Sequence, residues 1–151
     1  MTLSVSVVIP NYNYGRFLPE AIDSVLGQSY PAHEILVVDD GSTDESLSVL
    51  SQYGTRISVI KQENQGVGAA RNTGVRRSSG DIVAFLDADD IWDEKKIEKQ
   101  VGKFNEDPAI GLVSVSMEEF NAAGESLGIY TQDLEGRIAE NMLRFDSAIV
   151  V

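Results

Sequence analysis

The stretch Phe85-Leu86-Asp87-Ala88-Asp89-Asp90 places three carboxylates directly after the apolar run Ile82-Val83-Ala84-Phe85-Leu86. Such a run reads as a buried strand. If the chain stays extended for two or three residues more, alternation sets Asp87 and Asp89 on one face and Asp90 on the other. Two like charges brought that close raise each other's energy, and a divalent cation is the usual compensation. Carboxylate oxygens suit a hard ion such as Mg2+ or Mn2+, and an ion held by one or two of them keeps positions open for phosphate oxygens. The competing reading is structural: Asp89 or Asp90 caps a following helix and the rest is a solvated turn. These residues alone leave both open.

The elements that must position these groups can be followed along the chain. Val5-Ser6-Val7-Val8-Ile9-Pro10 predicts a first strand, with Asn11-Tyr12-Asn13-Tyr14-Gly15 as its exit loop. Leu18, Ala21, Ile22, Val25 and Leu26 recur at helical spacing, and Pro19 is tolerated in a first turn. Glu34 to Asp40 predicts a second strand, apolar on successive residues as parallel strands covered on both faces are. Ser42 with Glu45 fits a capping box for a helix carrying Leu47 and Leu50. Ile57 to Ile60 predicts a third strand, and the stretch from Gly66 enters a helix running to about Ser79, before the Ile82 strand.

Strand and helix alternate throughout, which predicts a mostly parallel sheet with helices on both faces, a three-layer α/β/α sandwich. Beyond Asp90, a helix is expected with Trp92, Ile97, Val101 and Phe104 on one side, stopped by Asp107-Pro108. Gly111 to Ser116 predicts a further strand, and Met117 to Tyr130 a surface hairpin turning at Asn121 to Glu125. Ala148-Ile149-Val150-Val151 has strand character with no stop signal, so the fold is expected to continue past Val151.

Asn11 to Asn13, Asp39-Asp40 and Asp87 to Asp90 each follow a predicted parallel strand. They therefore share the carboxyl edge of one sheet, where ligands of open α/β sheets bind. Gly66-x-Gly68-x-x-Arg71 has part of a dinucleotide fingerprint, but it follows the third strand, and the first strand ends without a glycine cradle. A NAD-dependent enzyme or a nucleotidyltransferase on a related sheet remains an alternative. Arg71 could point toward phosphate, while Arg76 and Arg77 read as a solvated helix face.

A net charge of -12 argues against a nucleic-acid or anionic-membrane surface. An anionic ligand would need a metal or a local basic group. Absence of cysteine excludes disulfides, thiolate metal sites and a Cys nucleophile. With no signal peptide and no long apolar run, the chain is expected to be soluble and cytoplasmic.

Taken together, Val8-Ile9-Pro10-Asn11-Tyr12-Asn13, Val37-Val38-Asp39-Asp40-Gly41-Ser42-Thr43-Asp44, Asn64-x-Gly66-x-Gly68-x-Ala70-Arg71-Asn72 and Phe85 to Asp90 resemble the family 2 glycosyltransferases, inverting enzymes of the GT-A fold. Four motifs in order make a specific match. The resemblance implies a nucleotide-sugar donor, typically a UDP-sugar. Pro10 and Tyr12 would border the base, Asp40 would hydrogen-bond it, and Gly68, Arg71 and Asn72 would line the donor pocket. Asp87 would meet the ribose and the metal, and Asp89 would coordinate the ion, Mg2+ or Mn2+.

The resemblance also implies a single domain over 1–151. About 1–107 would hold the nucleotide-binding units, and about 108–151 would begin an incomplete acceptor-side region. The acceptor is unspecified. The general base is expected beyond Val151; Glu118, Glu119, Asp133 and Glu135 qualify by chemistry only. An unpaired C-terminal edge makes a homodimer conceivable. A module that binds the nucleotide diphosphate without transferring the sugar is the main alternative function.

Overall fold

A computed structural model describes residues 2–121 and 123–131. The chain divides into two compact units, Met1–Pro108 and Ala109–Val151. In the first, β1 (Val5–Asn11), α1 (Leu18–Leu26), β2 (Glu34–Asp39), α2 (Ser46–Ser51), β3 (Ser58–Lys61), α3 (Val67–Arg77), β4 (Ile82–Phe85) and α4 (Lys96–Glu106) follow one another. The strands form one sheet in the order β3-β2-β1-β4, every neighbouring pair parallel.

Alternation along the two inner strands sorts the core into two layers. Val5, Val7 and Ile9 of β1 and Ile35 and Val37 of β2 pack with Leu18, Ile22 and Val25 of α1, Leu50 of α2, and Ile97 and Val101 of α4. On the other face Val8, Leu36 and Val38 pack with Ala70 of α3. This is the expected three-layer sandwich. All seven β1 residues are buried, the polar Ser6 and Asn11 included, as expected of a strand covered on both faces. Close packing of α3 depends on Gly74, where a Cβ would overlap the Val8 side chain.

Local details depart from the sequence expectation where long-range hydrogen bonds win over local propensity. Helix α2 starts at Ser46 rather than from a Ser42–Glu45 box. Asp44 accepts from Ser46 N at 3.0 Å, while the Ser42 hydroxyl is engaged by the loop after β1. Neither Asp89 nor Asp90 caps a helix, because α4 begins only at Lys96. Trp92 therefore precedes the helix, yet it still joins the core at 9% exposure.

The opposite, amino edge of the sheet is tied by Glu34. Its Oε1 accepts from Ser6 Oγ at 2.6 Å, Ser79 N at 2.6 Å and Ser79 Oγ at 2.8 Å, joining the α3–β4 connection to β1 and β2. Partial burial alone would raise this carboxyl's pKa; the Ser6 and Ser79 hydrogen bonds outweigh it and hold it below the ordinary 4.5. A lowered folded-state pKa gives stability that is present above the unfolded value and lost as pH falls through the folded one. The urea midpoint is therefore expected to drop on acidification from about pH 5 to about pH 3, and Glu34→Gln to flatten that part of the profile. An identical slope in Glu34→Gln would exclude the tie as a contributor.

In the second unit, β5 (Met117–Phe120) and β6 (Ser126–Tyr130) form an antiparallel pair, as the hairpin pattern predicts. Gly111 to Ser116 does not form the expected strand. Leu112 and Val115 stay 39% and 38% exposed, so among the described residues the segment lacks the covering layer that makes an apolar run a strand. Among the described residues no helix is long and apolar enough to cross a membrane.

Candidate functional site

The sheet order fixes where a site can form. From β1 the chain moves outward through β2 to β3, then returns across the sheet in α3 to place β4 on the other side of β1. The carboxyl ends of β1 and β4 thus flank a topological switch point, the place where open α/β sheets leave a crevice.

Three loops meet there. Asn11 closes β1 at 2% exposure, and its Nδ2 donates to Asp39 Oδ1 at 2.9 Å and Ser42 Oγ at 3.1 Å. Tyr12 and Tyr14 beyond it are half exposed. After β2, Asp40 is buried at 2% exposure and accepts three hydrogen bonds. Its Oδ1 accepts from Gln62 Nε2 at 2.6 Å and Gln65 N at 3.0 Å, and its Oδ2 from Gly66 N at 2.8 Å. One carboxylate so orders the β3–α3 loop and sets the start of α3. Gly66 takes a φ of 88°, a conformation that side-chain-bearing residues avoid. After β4 the chain turns at once, Asp90 N donating to the Asp87 carbonyl at 3.1 Å, instead of staying extended.

The loops enclose a cleft of ≈ 540 Å3, within the range of small-molecule sites. Of the residues expected at a ligand, Pro10, Tyr12, Asp40, Arg71, Asp87 and Asp89 line it. Gly68 and Asn72 are not among its lining residues; both are exposed on α3, and Gly68 faces open space. Asn64, Val67 and Ala70 of the third motif and its helix start also line it, and Tyr14 does so without having been singled out. Tyr14 was legible in principle, being two residues from Tyr12 on an exit loop.

Charge in the cleft is unevenly compensated. Arg71 pairs with Asp87, Nη2 to Oδ1 at 2.6 Å, each side chain 36% exposed. Asp89 is exposed and makes no hydrogen bond among the described residues. Partial burial, then the Asp89 and Asp87 charges, push the Asp90 carboxyl above its ordinary value. The turn therefore gathers three acids with one cation beside them. Among the described residues no three or more His, Cys, Asp or Glu side chains form a ready-made metal cage. A hard divalent ion fits this donor set when held by one or two carboxylates and completed by ligand oxygens and water.

Of the four acids considered for proton abstraction, Glu118 and Glu119 are exposed on β5, Glu119 accepting from Tyr130 Oη at 3.1 Å. Asp133 and Glu135 lie outside the described residues.

Comparison with known proteins agrees with this geometry. An uncharacterized glycosyltransferase of Nostoc sp. is 44% identical over 115 residues, covering 74% of this chain and 36% of the relative. The S. aureus TarS structure in complex with UDP superposes with a TM-score of 0.64 at 29% identity, over 69% of this chain and 32% of that one. A Pyrobaculum calidifontis mannosyltransferase in complex with GDP-Man and Mn2+ gives a TM-score of 0.63 at 31% identity, over 74% of this chain and 35% of that one. The chain spans about a third of the length of such relatives. The family model for glycosyl transferase family 2 matches residues 6–143, and on that match and this GT-A sheet the chain belongs to glycosyl transferase family 2.

Proposed function

We propose that this chain forms the donor-binding part of a metal-dependent glycosyltransferase that transfers a sugar from a UDP-sugar with inversion. The observation that carries this reading is the convergence of Tyr12, Asp40, Arg71, Asp87 and Asp89, from four separate motifs, on one cleft at the switch point. Tyr12 and Tyr14 offer ring faces to a nucleobase. Asp40 has three of its roughly four lone-pair positions occupied by chain donors, leaving one on Oδ2 for a base N–H. Asp87, fixed by Arg71, keeps Oδ2 for a ribose hydroxyl, and Asp89 is the metal ligand. The start of α3 lines the same cleft, and its dipole favours diphosphate there.

A bound Mg2+ or Mn2+ would supply Lewis-acid stabilisation of the charge developing on the departing diphosphate. Inversion further requires a carboxylate facing the acceptor hydroxyl.

Titration calorimetry tests the reading, with TarS and the mannosyltransferase, solved with UDP and GDP-Man respectively, supplying the two nucleotides to compare. UDP is expected to bind in Mn2+, to be released by EDTA, and to bind more tightly than GDP. Equal UDP affinity with and without metal would overturn metal dependence, and preference for GDP would overturn the uridine assignment.

A further inference from the structure

Asn13 does not line the cleft, yet the two exposed tyrosines that do are its neighbours on either side. Its φ is 60°, and among the described residues it is the non-glycine with a left-handed backbone. Such a conformation persists where the surroundings impose it. Here the surroundings are the loop after β2. Asn13 Oδ1 accepts from Thr43 N at 2.7 Å, Asp44 N at 3.3 Å and Thr43 Oγ1 at 3.4 Å, while Asn13 N donates to Ser42 Oγ at 3.0 Å. Two residues on, Gly15 N donates to Asp44 Oδ2 at 2.9 Å.

These bonds join segments far apart in sequence and form a clip between two loops that have no strand pairing to hold them. With its carboxamide spent on the neighbouring loop, Asn13 leaves Tyr12 and Tyr14 presented to the cleft. We infer that Asn13 is a positioning residue for the nucleobase: it fixes the Tyr12–Tyr14 wall before the ligand arrives, so that binding need not order a free loop.

The benefit is one of preorganisation. Ordering side chains and loops on association costs affinity, and a wall fixed in advance avoids that cost. It applies to groups that touch the base and not to those that serve the diphosphate, which are the α3 start and Asp89. The inference rests on the donor-site reading above.

Asn13→Gly separates the carboxamide from the backbone, because glycine keeps the positive φ at no steric cost and removes only the acceptor. UDP affinity in Mn2+ is expected to fall about tenfold, with affinity for inorganic pyrophosphate in Mn2+ unchanged within about twofold. Asn13→Asp, which retains an acceptor and tolerates the left-handed region, is expected to restore UDP binding. Loss of UDP and pyrophosphate affinity in equal measure, or none for UDP, would overturn the positioning role.

Hydrogen exchange on the unliganded protein reads the clip independently of any nucleotide. The amides of Tyr12 to Gly15 are expected to exchange faster in Asn13→Gly, and unchanged exchange would overturn the clip even if UDP binds. Faster exchange in a protein whose parent does not bind UDP would instead uphold the clip and overturn the donor-site reading.

Discussion

Asp89→Ala is expected to remove metal-dependent UDP binding, by at least about 100-fold, while leaving the fold as stable as the parent. Loss of groups that merely orient metal ligands costs roughly 10–100-fold, and loss of a ligand in a site with one or two carboxylates should cost no less. Stability should hold because the Asp89 side chain is exposed and makes no hydrogen bond among the described residues. Surface changes of this kind move stability within about 0.5 kcal/mol. Relief of its repulsion with Asp90 acts in the stabilising direction. Calorimetric titration with UDP and Mn2+, paired with thermal unfolding, checks both halves. A variant that binds UDP as the parent does, with the same response to EDTA, would sink the assignment of Asp89 to the metal.

Asp40→Ala is expected to do the opposite on stability and a different thing to binding. The substitution strands three donors at once, Gln62 Nε2, Gln65 N and Gly66 N, around a residue 2% exposed. Each hydrogen bond to a charged group contributes about 1.5–3 kcal/mol, so a net loss of about 3 kcal/mol allows for relaxation of the loop. UDP affinity should fall as well, through the lost base contact and the freed 62–66 loop, and the remaining binding should still require metal. Asp40→Asn, which keeps an oxygen acceptor, should lie between. Urea unfolding that gives Asp40→Ala the parent's stability would show that the loop does not depend on this carboxylate.

What was legible in the sequence was what neighbouring residues determine. Val5 to Pro10, Glu34 to Asp39 and Ile82 to Phe85 read as parallel strands because their residues are apolar nearly in succession, and positions just past them read as one sheet edge, although Ile82 to Phe85 are only partly buried. The pattern of Leu18, Ala21, Ile22 and Val25 gave α1 for the same local reason. Pairings of distant residues were not legible. Ser42 and Glu45 satisfy a capping box on paper, but Ser42 is taken by Asn11 and Asn13. Gln62 and Gln65 read as polar loop filler, yet they complete Asp40.

Arg71 read as a residue that could point toward phosphate, and only the fold brings it to Asp87. Asn72 and Gly68 follow from the motif and not from the cleft, where the helical turn carries them away from its lining. Exposed Leu112 and Val115 show the converse, a strand-like run that nothing among the described residues covers.

The parallel sheet also has a consequence in time. Strand β1 precedes both of its partners: Val7 pairs with Ile35 on one side and Ala84 on the other. No hairpin closes any part of this sheet, and contacts between residues far apart in sequence slow the search for the native state. During synthesis β1, every residue of which is buried in the fold, precedes its partners and stays unpaired along one edge until Ile82 to Phe85 have left the ribosome, a window in which unpaired apolar strands are prone to aggregate. The cleft is complete only after β4 has emerged, since one of its walls is the turn that follows that strand. A pause in translation or a slow α3 would therefore extend the exposure of β1 and delay completion of the cleft together.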